Sequence, residues 1–349
     1  MNFASDNTGP AHPRVLQAVM EANAGDAVPY GNDPVTQQAR AAVRALFEAP
    51  DATVEFVATG SAANALALAC LVQPWEGIFC HRVAHVEQDE CGAPEFYSNA
   101  KLLLIDGADA KMTPDALASE IRAASDRGVH GVQPGAVTIT NITERGTVYT
   151  LDEIRALTDV ARAHELPVHL DGARFANACA ALGCSPAEMT WKAGVDAVSF
   201  GGTKNGCMGV EAVVLFDAAK GRELELRRKR GGHLFSKHRY LSAQMGAYCA
   251  GDLWREMGTA ANARMAQLVQ GLARVSGAHV CHPVAGNLGF LDLPRAAHDR
   301  AFAAGAQYNT SPGGAMERAG PDDAVRCRIV CDWSKTGAEV EALLTAWAG

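Results

Sequence analysis

The stretch "LDEIRALTDVARAHELPVHLDGA", residues 151–173, joins a helical segment to a short β-rich run that ends in an acid and a glycine. Six further β-rich runs are "VEFVATG" (54–60), "GIFCH" (77–81), "KLLLID" (101–106), "AVTITNIT" (136–143), "VDAVSFGG" (195–202) and "EAVVLFD" (211–217). Helical stretches such as "SAANALALACLV" separate most of them. Alternating strands and helices predict βαβ units, hence an α/β fold with a mainly parallel seven-stranded sheet and helices on both faces. Beyond about residue 245 the pattern changes to one long helical run, "LWREMGTAANARMAQLVQGLARV", with fewer strands after it. The expected organisation is a large domain over 1–245, including an N-terminal arm over 1–15, and a smaller α+β domain over 246–349.

Composition narrows the function. A net charge of −8 argues against wholesale nucleic-acid binding. The opening "MNFASDNTGP" has neither a basic segment nor an apolar one, and no run reaches the ~18 apolar residues of a membrane span. A cytoplasmic protein without a membrane partner is expected. The ten cysteines are scattered without CxxC pairs, so neither a disulfide framework nor a metal site is expected, and they read as small buried apolar side chains. The basic run "RRKRGGHLFSKHR" (227–239) reads as a solvated helix face.

In open parallel sheets, ligands bind beyond the carboxyl ends of the strands. "VEFVATGSAAN" is strand, glycine turn and helix, so the backbone N–H groups of Gly60, Ser61 and Ala62 can hold a phosphate at a helix N-terminus. It matches neither GxGxxG nor the P-loop, which argues against dinucleotides and nucleoside triphosphates. In "VSFGGTKNG" (198–206), Gly201 and Gly202 let a ligand approach the backbone, and Lys204 can reach that ligand. The plainer alternative is a surface lysine. Asp171 closes an apolar strand, where an unpaired carboxylate costs several kcal/mol to bury. Its partner is either Arg174 or a protonated heterocyclic nitrogen. An Asp opposite a pyridinium, with a Lys forming a Schiff base to the same ring, is the pyridoxal phosphate arrangement. Arg174 is then released to hold a carboxylate in two parallel hydrogen bonds.

With "SDN" near the N-terminus, "PYGNDP", "ATGSAAN", "AHVEQDECGAP", "RIVCDW" and the long stretch from "DGARF" to "GGTKNG", the chain resembles the low-specificity L-threonine aldolase family. The resemblance spans nearly the whole chain. It implies pyridoxal 5'-phosphate as cofactor and the aspartate aminotransferase-like fold, fold type I. It implies that Lys204 bonds the cofactor's aldehyde, that Asp171 pairs with the pyridine nitrogen and that His85 stacks on the ring, with Glu90 following within the site. Gly60, Ser61 and Ala62 match the phosphate loop, and Ser5, Arg174 and Arg328 the group that binds the substrate carboxylate. Tyr30, Lys229 and Lys237 match residues that reach a neighbouring subunit's site, so a homodimer or homotetramer with shared sites is implied. Where one branch of the family has a second His, "NITERG" offers Thr143 and Glu144.

The implied reaction is retro-aldol cleavage of L-threonine, L-allo-threonine and related L-β-hydroxy-α-amino acids to glycine and an aldehyde. Two arginines fix the carboxylate and thereby choose the bond to be broken, while His85 is either the base for the β-hydroxyl or only a stacking platform. The alternatives are a phenylserine aldolase or another fold type I lyase, β-eliminating or serine hydroxymethyltransferase-like. A non-catalytic scaffold of the same fold would have no need of paired carboxylate clamps.

Overall fold

The computed structural model describes residues 1–311 and 314–349. It places β1 (Thr53–Val57), β2 (Glu76–His81), β3 (Lys101–Ile105), β4 (Gln133–Thr140), β5 (Val168–Gly172), β6 (Ala197–Gly201) and β7 (Glu211–Leu215) in one sheet. Their order is β1-β7-β6-β5-β4-β2-β3. Only β7 runs against its neighbours, β1 and β6; the pairs from β6 through β3 are parallel. Each strand falls on one of the expected β-rich runs. β4 stops at Thr140, short of the apolar run, because the Asn141 side chain takes over the backbone pairing. Its Oδ1 accepts from the Tyr149 amide at 3.1 Å and its Nδ2 donates to the Tyr149 carbonyl at 3.2 Å.

Successive side chains of a strand point to opposite faces, and a sheet covered on both sides needs both sets apolar. Val198, Phe200, Ala212 and Val214 join one core with Phe47, Phe175 and Trp254. Ala197, Val213 and Leu215 join the other, against the helix Gly60–Leu71. That helix is buried along nearly all of its length, which explains why its sequence shows no polar stripe.

One charge cluster interrupts this apolar packing. Glu55 in β1 receives Arg40 Nη2 and Arg228 Nη1, both at 2.6 Å; Glu55 and Arg228 are buried and Arg40 is partly so. The expectation of a solvated face for 227–239 fails at two of its residues. Arg228 turns inward because Glu55 is there to meet it, and His238 lies buried beside it. Burial, followed by the adjacent Arg228 charge, pushes the His238 imidazole down to about 3. Glu55→Gln leaves two guanidiniums, one buried and one partly so, without a carboxylate and is expected to lower unfolding stability by about 3–5 kcal/mol. Guanidinium unfolding checks this, and an unchanged midpoint would show that the cluster contributes nothing net.

The smaller unit is an antiparallel sheet of β8 (His279–Val280), β9 (Leu288–Pro294), β10 (Asn309–Thr310) and β11 (Ala324–Val330), ordered β10-β11-β9-β8. The helix Leu253–Gly271 links the two cores: Leu253, Trp254 and Met257 sit in the large one, Met265 and Leu268 in the small one. Helix Arg239–Cys249 still packs with the large core through Leu241, Met245 and Tyr248. The first residues of the chain, by contrast, belong to the small unit. Phe3 is fully buried there, donating its amide to the Gln307 carbonyl and accepting from the Val330 amide at 2.7 and 2.9 Å. Among the described residues, no helix is long and apolar enough to cross a membrane. Cysteines are mostly buried, as expected, but Cys91 is exposed.

Candidate active site

The carboxyl ends of β1, β2, β4, β5 and β6 release, in turn, Gly60, His85, Glu144, Asp171 and Lys204. A single amide ties three of these ends together. Asn64 Nδ2, one helical turn after Gly60, donates to Asp171 Oδ2 at 3.0 Å and to Glu90 Oε1 at 2.8 Å. Glu90 Oε1 lies 2.7 Å from His85 Nδ1. The other Asp171 oxygen accepts from the Ala173 amide at 3.0 Å. Asp171 is therefore anchored by an amide and a backbone N–H, and the ion pair with Arg174 considered from the sequence is not formed. Hydrogen bonding to Glu90 raises the His85 pKa above its ordinary value, against the effect of burial.

Lys204 sits in the turn Thr203–Asn205 that follows β6. The turn is fixed on both sides: Thr203 Oγ1 accepts from the Val210 amide, while Asn205 Nδ2 donates to Tyr248 Oη and to the Trp254 carbonyl. Gly201 and Gly202 are needed for a reason other than the expected one. A Cβ at Gly201 would lie 2.6 Å from the Ala173 carbonyl oxygen and one at Gly202 2.8 Å from that of Val210, so the glycines permit close passage of neighbouring backbone. Lys204 Nζ makes no hydrogen bond or ion pair among the described residues. Burial first, and the Arg174 charge second, lower its pKa from the usual lysine value.

At the helix Gly60–Leu71, the amides of Gly60 and Ser61 are without partners among the described residues, but that of Ala62 is not. It donates to the Thr59 hydroxyl cap at 3.2 Å. The space beside Gly60 is open, with nothing within 4 Å of where a Cβ would stand. The expected three-residue cradle thus reduces to two free amides, with Ala62 engaged in capping.

The proposed carboxylate clamp is also partly engaged. Arg174 Nε and Nη2 grip Asp6 at 2.7 and 3.0 Å, and Asn287 Nδ2 donates to the same carboxylate at 3.1 Å. These charges hold the Asp6 pKa below the ordinary value although burial opposes them. Arg328 donates through Nη2 to the Ala4 carbonyl at 2.9 Å, and its Nε is buried without a partner. Ser5 Oγ accepts from the Asn7 amide at 3.1 Å, which leaves its own O–H to donate. Tyr30 and Lys229 pair with each other at the surface, Nζ lying 4.8 Å from the ring centre. Those two and Lys237 make no hydrogen bond or ion pair to the Lys204 cluster among the described residues.

Three functional candidates escaped the sequence reading. In sequence Asn64 looks like a neutral residue of an apolar helix, Asp6 is one acid in a polar N-terminal stretch beside Ser5, and Glu144 carries no signal of a role. The signal for each is a buried polar contact between residues far apart in the chain.

The Beta-eliminating lyase family model matches residues 2–294. The chain is 41% identical to the low specificity L-threonine aldolase of Pseudomonas aeruginosa over 95% of this chain and 92% of that one. It is 39% identical to that of a Pseudomonas species, over 98% and 95%. Among solved structures it resembles Leishmania major threonine aldolase with a TM-score of 0.91 at 26% identity, over 99% and 98% of the two chains. Thermus thermophilus aspartate aminotransferase, at 14% identity, TM-score 0.66 and coverage of 97% and 88%, shares the fold. A chain matched in sequence over nearly its whole length and in fold throughout belongs to the low-specificity L-threonine aldolase family, within the beta-eliminating lyases.

Proposed function

We propose that this enzyme cleaves L-threonine, L-allo-threonine and related L-β-hydroxy-α-amino acids to glycine and an aldehyde, with pyridoxal 5'-phosphate as cofactor. The observation that carries the reading is the meeting of a partly buried Lys204, without a partner among the described residues, with an anchored Asp171 at adjacent strand ends. The donor set fits the cofactor. Gly60 and Ser61 offer free amides beside open space for its phosphate, and Asp171 offers a fixed carboxylate for its ring nitrogen. When bound, pyridoxal phosphate supplies an electron sink for the bond broken at Cα.

The chain's own residues do the rest. Lys204, its amine biased toward the neutral form by burial, is the nucleophile that holds the cofactor's aldehyde. Asp171 keeps the ring nitrogen protonated. In this reading the Arg174 Nη1 not used by Asp6 and the Arg328 guanidinium, close enough for the two charges to act on each other, hold the substrate carboxylate, with the Ser5 hydroxyl as a further donor. Asp6 does not compete for that role; it fixes the plane of the Arg174 guanidinium so that the remaining N–H is aimed.

Neighbouring subunits complete the site in this reading. The surface pairing of Tyr30 and Lys229, with Leu226 exposed three positions before Lys229 and Phe96 exposed on the same surface cavity as Leu226, supports a homodimer or homotetramer. Ten unpaired thiols favour the reducing cytoplasm.

The test is acetaldehyde release from L-threonine and L-allo-threonine, followed with coupled alcohol dehydrogenase, together with glycine analysis. Both L-substrates are expected to react and the D-isomers to be inert, since the same carboxylate grip points their Cα–Cβ bond elsewhere. Ammonia and a keto acid in place of glycine would overturn the aldolase reading.

A further inference from the structure

We propose that Glu144 is the catalytic residue that takes the proton from the substrate's β-hydroxyl. The inference rests on the aldolase reading above and assigns a step within it. Besides Glu144, four buried carboxylates line the site, and each is committed to holding other groups; Glu211 accepts from the Gly202 amide at 3.0 Å, next to Lys204. Asp6 is held by Arg174 and Asn287, Glu90 by Asn64 and His85, and Asp171 by Asn64 and the Ala173 amide. Glu144 has no cationic or side-chain partner among the described residues; its Oε1 accepts from the His85 amide at 2.7 Å. The Glu144 side chain is only partly buried, which leaves the carboxyl within reach of a visiting hydroxyl.

The loop that carries Glu144 is built to hold it still. Asn141 brackets both backbone groups of Tyr149, and Thr143 Oγ1 accepts from the amides of Arg145 and Thr147, each at 3.3 Å. Gly146, at φ +83°, lies so close to β9 that a Cβ would come within 2.2 Å of the Leu288 carbonyl oxygen. The loop is thus seated against the smaller unit, and the carboxyl projects from a rigid turn.

Charge decides what such a carboxyl can do. The groups that face it are the Asp171 carboxylate, the His85 imidazole, and the Cys80 thiol and Tyr149 phenol, the last two kept protonated by burial. Burial first, and Asp171 second, push Glu144 up to about 7, a value at which a proton can be both accepted and released. His85 is the weaker candidate, because its hydrogen bond to Glu90 favours the charged imidazolium.

The step balances. As the O–H proton passes to the Glu144 carboxylate, the O–H electron pair becomes the second bond of the aldehyde carbonyl. The Cα–Cβ bond breaks and its pair stays with Cα, which takes up one proton to complete glycine. Glu144 then yields the proton to solvent.

Glu144→Gln is expected to lower kcat about a hundredfold or more, with little change in KM and with cofactor binding retained. The wild-type kcat should fall on the acid side of about pH 7, and the variant should lack that limb. His85→Asn should keep it. Exchange of the glycine α-hydrogen in deuterated water needs no β-hydroxyl, so Glu144→Gln should retain it. A direct readout is infrared titration of the apoprotein: because burial also pushes Glu211 up to about 7, the expected signal is the wild type minus Glu144→Gln difference, a protonated carboxyl band lost near pH 7. Wild-type kcat, a persistent acid limb, or parallel loss of glycine exchange in Glu144→Gln would overturn the assignment. If that variant does not fold, the absence of a carboxyl titrating near neutrality in the wild type overturns it. A wild type that makes no glycine from L-threonine defeats the aldolase reading instead, which is a separate outcome.

Discussion

Lys204→Ala is expected to lower turnover by a factor of about 10³ to 10⁶, the range seen when a covalent nucleophile is removed. The size follows from isolation. Lys204 Nζ has no partner among the described residues and lies in the middle of a turn whose flanks are fixed by Thr203 and Asn205, so its amine is held in place and free to react. The variant should still fold, because truncating a partnerless side chain breaks no hydrogen bond. Borohydride reduction followed by peptide mass analysis should place the cofactor on the 198–206 stretch of the wild type and nowhere on the variant. A label on another lysine, or wild-type turnover in the variant, would remove Lys204 from the reaction.

The second large effect is expected at Asp171→Ala, where turnover should fall about a thousandfold and the cofactor should be lost on dialysis. Two consequences add here. The ring nitrogen loses the carboxylate that keeps it protonated, and Asn64 Nδ2 loses one of its two acceptors. Asn64 can then swing, and Glu90 and His85 lose part of their support. Asp171→Asn separates the two effects: it restores an acceptor to Asn64 without restoring the charge. Dialysis against phosphate with absorbance of the retained cofactor, alongside the acetaldehyde assay, measures both. If the Ala variant kept its cofactor and its rate, Asp171 would be structural only.

What the sequence made legible was whatever is written locally. The seven apolar runs became seven strands, and Lys204 and Asp171 stand out as candidates because they interrupt such runs at their carboxyl ends. Relations between distant residues were not legible. Arg174 reads as a neighbour of Asp171 three positions away, yet it pairs with Asp6 across 168 positions. Arg228 reads as one of a solvated basic run, yet it is buried because Glu55 lies beneath it. The glycines before Lys204 were located correctly, but the clash they avoid is with the Ala173 and Val210 carbonyls, which only the sheet brings near. Hydrophobic period reports burial; it is silent about which polar atom waits on the far side.

The seam between Phe3 and Val330 also bears on when the enzyme becomes competent during its manufacture. Arg328 holds the Ala4 carbonyl across a separation of 324 residues, and Asp6, on the same arm, orients Arg174. A ribosome that has already extruded Lys204 and Asp171 has therefore not yet assembled the proposed clamp. The arm has nowhere to dock until β11 emerges, and Phe3 stays exposed to water through most of translation. Contacts of such long range form late and slowly. Unfinished chains should thus carry the reactive amine without the means to select a substrate, and activity should arrive in one step as the last strand closes over the first residues.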